Sequence, residues 1–191
     1  SIIGAGNVGT ALARQFARSG IAVNIANTRG VDSLAELAKE LGDHVTPVAL
    51  EDALKAEVVI LAVPFRSHAS VAAALPDWSG KIVVDAMNTY GISPDELKGQ
   101  ASSHVVAAAF AGADVVKTFN QLPAKLLAMN PAAQGGRRVM FVAGDSQAAS
   151  GAIAKLVDDL GFAALVLGKI AEGGLLLGMG GPLILQNLIK Y

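Results

Sequence analysis

One stretch limits what this chain can fold into. Ser1-Ile2-Ile3 is a short apolar run, Gly4-Ala5-Gly6-Asn7-Val8-Gly9 follows it, and Thr10 to Arg18 carries apolar residues at helical spacing. Strand, G-x-G-x-x-G turn and helix in that order form the fingerprint of a dinucleotide-binding βαβ unit. Gly4 permits the tight turn. Gly6 lacks a Cβ, so a pyrophosphate can approach the backbone. Gly9 lets the helix pack close to the strand. Phosphates then meet the free N–H groups and positive dipole end of the helix. Three residues make a short first strand, and we expect a few native residues ahead of it.

The rest of the chain repeats this unit. Continuous apolar runs such as Val58-Val59-Ile60-Leu61-Ala62-Val63 alternate with helical patterns, as in strands buried on both faces of a parallel sheet. The expected fold is a doubly wound, mostly parallel α/β sheet, the Rossmann fold, over residues 1–167. Residues 168–191 are expected to form a helical segment packing on the same domain or on a dimer partner. At 191 residues the chain suits one domain. A formal net charge of −1, with acids and bases interspersed, gives no sign of a nucleic-acid or membrane partner. There is no cysteine, hence no disulfide framework and no thiolate chemistry. The uncharged run from Gly173 to Ile189 is broken by glycines and Pro182, and we read it as a packed helix rather than a membrane span. The expected location is cytoplasmic.

In a doubly wound sheet ligands bind outside the carboxyl ends of the strands, so the strand exits are the places to search. The second strand ends in Asn27-Thr28-Arg29, where an NAD site usually carries an acid for the ribose 2′-OH. A hydroxyl and a guanidinium suit a 2′-phosphate instead, which favours NADP(H). The fourth strand exits at Val63-Pro64-Phe65, with His68 on the helix that follows. His68 reads equally as a substrate contact and as a polar residue lodged at a helix start. The fifth strand exits at Asp85-Ala86-Met87-Asn88, the sixth at Phe119-Asn120-Gln121-Leu122-Pro123. Ser93-Pro94-Asp95-Glu96 matches a capping box and is read as structure. No metal-ligand spacing, nucleophile elbow or acid/base constellation appears. No residue is therefore assigned a catalytic role, and the protein would supply placement while a cofactor carries the chemistry.

These motifs, taken in order, resemble the coenzyme F420-dependent NADP oxidoreductase family, and the related NADPH-binding domain of the STEAP metalloreductases. The carriers are the Gly4–Gly9 turn, Asn27-Thr28-Arg29, Val63-Pro64-Phe65 with His68, Asp85-Ala86-Met87-Asn88, Val116-Lys117-Thr118-Phe119-Asn120, Val142-Ala143-Gly144-Asp145 and Gly181-Pro182-Leu183. The resemblance implies that NADPH lies along Gly4, Ala5, Gly6, Asn7, Val8 and Gly9. Thr28 and Arg29 would hold its 2′-phosphate. The Val63-Pro64 and Ala86-Met87-Asn88 edges would flank its ribose and nicotinamide. A deazaflavin or flavin would stack near Phe119, Asn120, Leu122 and Pro123, and members are commonly dimers through the C-terminal region. The loop Asp85-Ala86-Met87-Asn88 and the glycine-rich stretch Glu172 to Gly180 depart from the family pattern, so the cofactor half carries over better than the acceptor half. Hydride exchange between NADP(H) and F420 or a flavin is the leading expectation. A non-catalytic NADP(H) sensor and a small carbonyl or imine reductase are the competing ones.

Overall fold

The computed structural model of the protein describes residues 1–97 and 99–191, without the side chain of Pro94. Six parallel strands form the body of the sheet: β1 (Ile2–Ile3), β2 (Val23–Ala26), β3 (Val45–Pro47), β4 (Val58–Leu61), β5 (Ile82–Asp85) and β6 (Asp114–Lys117). Their order across the sheet is β3-β2-β1-β4-β5-β6. β1 is the centre, with Ile2 opposite Ile25 of β2 on one side and Ile60 of β4 on the other. The chain crosses from one half of the sheet to the other between β3 and β4. The crevice between the ends of β1 and β4 is therefore the switch point where nucleotides bind in such folds.

Among the described residues seven α-helices cover the two faces: α1 (Asn7–Arg18), α2 (Ala35–Leu41), α3 (Leu50–Ala53), α4 (His68–Ala72), α5 (Ser102–Ala109), α6 (Ala124–Leu127) and α7 (Gln147–Asp159). Side chains alternate along a strand, so each apolar run feeds two cores. Ile2, Ile60, Val84 and Val116 pack with Leu12 and Phe16 of α1 and Ile153 and Val157 of α7. Ile3, Leu61, Val83 and Val115 pack on the opposite face with Val71 of α4 and Val106 of α5. Apolar runs with no polar alternation are the sequence signature of this two-sided burial.

The strands stop earlier than their apolar runs. β4 ends at Leu61; the Ala62 N–H still donates to the Ile3 carbonyl (2.8 Å), and Val63 and Pro64 leave the ladder. The stretch from Asn130 to Gly136 holds a short hairpin, in which β7 (Ala132–Ala133) pairs antiparallel with the start of β8 (Gly136–Gly144). Gln134 (φ 52°) and Gly135 (φ 81°) make its two-residue turn, the geometry that suits hairpin twist. β8 runs antiparallel to β6, and β9 (Ala163–Val166) lies parallel to β8.

The C-terminal segment is helical only in its first part. A π-turn covers Ile170–Gly174 and the helical conformation continues to Leu176. The expectation of a helix running on to Tyr191 is corrected: turns follow, then β10 (Ile189–Lys190), antiparallel to β8. Gly178, Gly180, Gly181 and Pro182 explain the break. The chain folds back so tightly that a Cβ on Gly181 would lie 2.5 Å from the Leu176 carbonyl oxygen. Between β6 and β10, a side chain completes the edge of β8. Gln121 Nε2 donates to the Val139 carbonyl (3.1 Å) and Gln121 Oε1 accepts from the Phe141 N–H (2.8 Å). The same residue's carbonyl accepts from Leu185 N–H at 2.8 Å, so Gln121 anchors the C-terminal segment to the sheet. Among the described residues, no helix is long and apolar enough to cross a membrane.

Candidate dinucleotide-binding cleft

The glycine turn divides its labour as the motif suggests, with one refinement. Gly4 takes φ +106°, and a Cβ there would sit 2.3 Å from the Ala62 carbonyl oxygen. Its N–H donates to the Ala26 carbonyl at 2.8 Å, tying the turn to the end of β2. A Cβ on Gly9 would lie 1.9 Å from the Gly4 carbonyl oxygen. Gly9 thus lets α1 close onto the turn itself more than onto a strand. A Cβ on Gly6 would meet nothing within 4 Å. Gly6 is the N-cap of α1, no side chain caps that end, and the first turn holds no acid. Open space in front of uncapped N–H groups is a cradle that fits a pyrophosphate.

Beside the turn, the exit of β2 is shaped by its own side chains. Asn27 Oδ1 accepts from the Arg29 N–H at 2.8 Å, an Asx-type turn. Asn27 Nδ2 donates to Ser33 Oγ (3.0 Å), and Ser33 Oγ donates to the Gly30 carbonyl (2.7 Å). The clasp fixes the loop and leaves Thr28 and Arg29 exposed at the cleft. Arg14, Lys55, Arg66, Lys117, Arg137 and Lys155 each pair with an acid. Among the described residues no acid pairs with the guanidinium of Arg29.

The cleft has a volume of about 570 Å³. Its floor is the glycine turn and its near wall is Asn27-Thr28-Arg29. Its far wall is Ala62, Val63 and Pro64, then Ser67, Ser70 and Val71 of the following helical turn, with Leu50 at the head of α3. Arg66 braces the rim from outside. It donates to the Gly91 carbonyl (3.0 Å) and pairs with Glu96 (3.0 Å). Glu96 closes the expected capping box, accepting from the Ser93 N–H at 2.9 Å while Ser93 Oγ accepts from the Glu96 N–H at 3.3 Å. The Ser93 N–H, and then Arg66, hold the Glu96 carboxyl below its usual range.

Of the residues singled out in the sequence, Gly4, Ala5, Gly6, Asn27, Thr28, Arg29, Val63 and Pro64 line this cleft together. Asn7, Val8 and Gly9 form the first turn of α1 behind them. The others do not reach the cleft. Phe65 turns into the core beside His68, ring centroids 4.8 Å apart. His68 is itself buried, with Nδ1 bonded to the Phe65 carbonyl; a carbonyl only accepts, so Nδ1 carries the proton. Of the two readings of His68, the one that lodges it at a helix start describes its surroundings. Ala86 and Met87 are buried on opposite faces of the sheet. Phe119 and Leu122 lie in the α1 core, and Pro123 is the N-cap of α6. Phe119 holds φ +62°, an outlier for a bulky residue, sustained by complete burial of its ring.

The exits of β5 and β6 form a buried polar cluster. Asp85 and Lys117 pair at 3.1 Å and are almost wholly out of solvent. The carboxylate also accepts from Ser103 Oγ (2.7 Å) and the Met87 N–H (3.0 Å), and Lys117 Nζ donates to the Met87 carbonyl (2.5 Å). Asn88 Nδ2 donates to the Asn120 carbonyl, and Asn120 Nδ2 donates to Asn88 Oδ1 and to the Leu177 carbonyl, all at 2.7 to 3.0 Å. Leu177 belongs to the C-terminal segment, which covers this end of the crevice. Asn120 Oδ1 and Thr118 Oγ1 are buried there without partners among the described residues.

The sequence reading missed Leu50, Ser67, Ser70 and Val71. Ser67, Ser70 and Val71 follow an i, i+3, i+4 spacing just after the exit of β4, a signal available in the sequence. Leu50 carries none.

A switch-point glycine turn facing an open cleft defines a Rossmann nucleotide-binding protein, and the comparisons with known proteins agree. Residues 1–89 match the family described as NADP oxidoreductase, coenzyme F420-dependent. A hypothetical protein from Sinorhizobium meliloti is 44% identical, with 100% of this chain and 94% of that one covered and a TM-score of 0.94. A candidate F420-dependent NADP reductase from Arthrobacter sp. is 29% identical over 88% of this chain and 84% of that one, with a TM-score of 0.73. The chain belongs to this family of NADP oxidoreductases. The fold is also that of an Aspergillus terreus reductive aminase solved with NADPH and ethyl levulinate, which is 21% identical with a TM-score of 0.68. This chain is covered over 94% of its length there and spans 57% of that protein. No protein of curated function matches the chain significantly.

Proposed function

We propose that the protein passes a hydride between NADP(H) and a deazaflavin, such as F420, or a flavin. The observation that carries the reading is Arg29. An unpaired, exposed guanidinium stands where an NAD site would put a carboxylate, beside a glycine turn with room for a pyrophosphate. In this reading the Gly4–Gly9 turn holds the pyrophosphate and Thr28 and Arg29 hold the 2′-phosphate. The nicotinamide end points along Val63-Pro64 toward Asn88 and Asn120. Phe119, Asn120, Gln121 and Leu122 are buried, so the acceptor would come in over the exposed side of the nicotinamide rather than against the Phe119–Pro123 edge. NADP(H), when bound, supplies the redox chemistry; the chain's own residues orient it and shield one side. The description of the Arthrobacter protein supports the F420 acceptor, and the NADPH in the reductive aminase supports the cofactor.

The C-terminal segment exposes Leu175, Leu176, Met179, Leu185 and Leu188, an apolar surface that supports a homodimer. Light scattering tests the dimer. Stopped-flow absorbance tests the reaction: NADPH mixed with F420 or FMN should be oxidised in the presence of the protein. Oxidation by neither would contradict the proposal. Turnover of a cyclic imine would reassign the acceptor, and tight NADPH binding without turnover would make the protein a sensor.

A further inference from the structure

Two buried charges in the sheet, Asp85 and Lys117, hold each other. A third, Arg138 of β8, has no such companion. It is 7% exposed, and among the described residues no acid pairs with it. Alternation along β8 puts it on the side of Met140 and Val142, which lie in an apolar core. Its backbone is committed: the N–H donates to the Pro131 carbonyl at 2.8 Å, and Ile189 of β10 lies opposite. Its guanidinium is committed only in part. Nη1 donates to Asn187 Oδ1. Nε is buried without a partner among the described residues, and Nη2 makes no bond to them either but is not sealed from solvent.

Burying a charge is costly unless an opposite charge meets it. A water molecule can satisfy an N–H, but it leaves the charge uncompensated. The N–H groups of Nε and Nη2 lie side by side on one edge of the planar guanidinium, a spacing that matches two oxygens of a carboxylate or phosphate. That is the edge Asn187 leaves free, and it is reached from the Nη2 end. We infer that Arg138 is a binding site for a small oxyanion, a carboxylate or phosphate, held by Nε and Nη2. Asn187 and Ile189 belong to the C-terminal segment, so the anion fastens that segment to the sheet. The site is separate from the nucleotide cleft, since β5 and β6 stand between β4 and β8 in the sheet, and it does not depend on the NADP(H) reading.

Thermal unfolding at fixed ionic strength, with acetate or phosphate titrated in place of chloride, tests it. Either anion should raise the melting midpoint of the wild-type protein, by about 3–6 °C at about ten times its dissociation constant. Arg138→Met should abolish the rise and, in chloride, melt no lower than wild type, because it removes an uncompensated buried charge. Arg138→Lys keeps the charge without the fork and should lose most of the rise. Arg29→Ala should keep the acetate rise, which separates this site from phosphate at the glycine turn. Selenate diffused into crystals should give anomalous density against Nε and Nη2. No rise in wild type, a rise that survives in Arg138→Met, or a fork free of selenate would overturn the inference. So would a midpoint that follows protein concentration and ignores the anion, which would give the fork to a carboxylate of a second copy.

Discussion

Two regions at the carboxyl edge of one sheet use similar residues in opposite ways. At the ends of β1, β2 and β4 the polar groups face open space. Gly6 has nothing in front of it, and among the described residues Arg29 has no acid and the hydroxyls of Ser67 and Ser70 have no partner. At the ends of β5 and β6 the polar groups are committed to one another. Asp85 is held by Lys117, Ser103 and the Met87 N–H, and Asn120 by Asn88 and Leu177. A polar residue at a strand exit serves a ligand only where no later segment has claimed it. The first region is a preformed binding surface. The second is built as a buried network under the C-terminal segment, where losing one member leaves others unpaired.

That contrast can be broken most forcefully at Lys117. Lys117→Met strands the Asp85 carboxylate in the core and should cost about 3–5 kcal/mol of stability, read by urea denaturation; a loss near zero would mean the second region is not the tight network described. The glycine turn separates structure from binding. Gly9→Ala drives a Cβ into the Gly4 carbonyl and should destabilise by about 2–3 kcal/mol. Gly6→Ala should change stability by less than about 1 kcal/mol yet weaken NADP(H), since its Cβ takes the phosphate's place. Arg29→Ala should weaken NADPH by about 1.5–3 kcal/mol, as for a charged hydrogen bond, and leave NADH unchanged in a fluorescence titration. Equal losses for both nucleotides would remove Arg29 from the phosphate site. The smallest effect is expected at Ser33. Ser33→Ala loosens the Asn27 clasp and should cost NADPH about 0.5–1.5 kcal/mol, with melting temperature little changed.

The same contrast explains what the sequence makes legible. The doubly wound sheet follows from apolar runs such as Val58–Leu61, which bury both faces, and from the glycine turn that sets their order. The open half of the site follows from local motifs: Gly4 to Gly9, and Arg29 where an acid is missing. The covered half does not. Asn88 and Asn120 look like ligand groups at strand exits, and the residue that seals them, Leu177, lies 57 positions beyond Asn120. No local pattern announces such a partner. The C-terminal segment misleads in a second way. Its leucines fit a helix, while Gly178, Gly180 and Gly181 let the chain turn back and reach β8 as a strand. The β7 hairpin escapes notice because Ala132 and Ala133 carry no alternation and Gln134-Gly135 is a weak form of the usual turn pair.

A crystal structure of the protein grown with NADPH is the most direct test of the cleft. The account predicts the pyrophosphate over Gly6 at the head of α1 and the 2′-phosphate within hydrogen-bond distance of Arg29 and Thr28. NADPH bound elsewhere, or in the cleft with its 2′-phosphate turned away from Arg29, would contradict it.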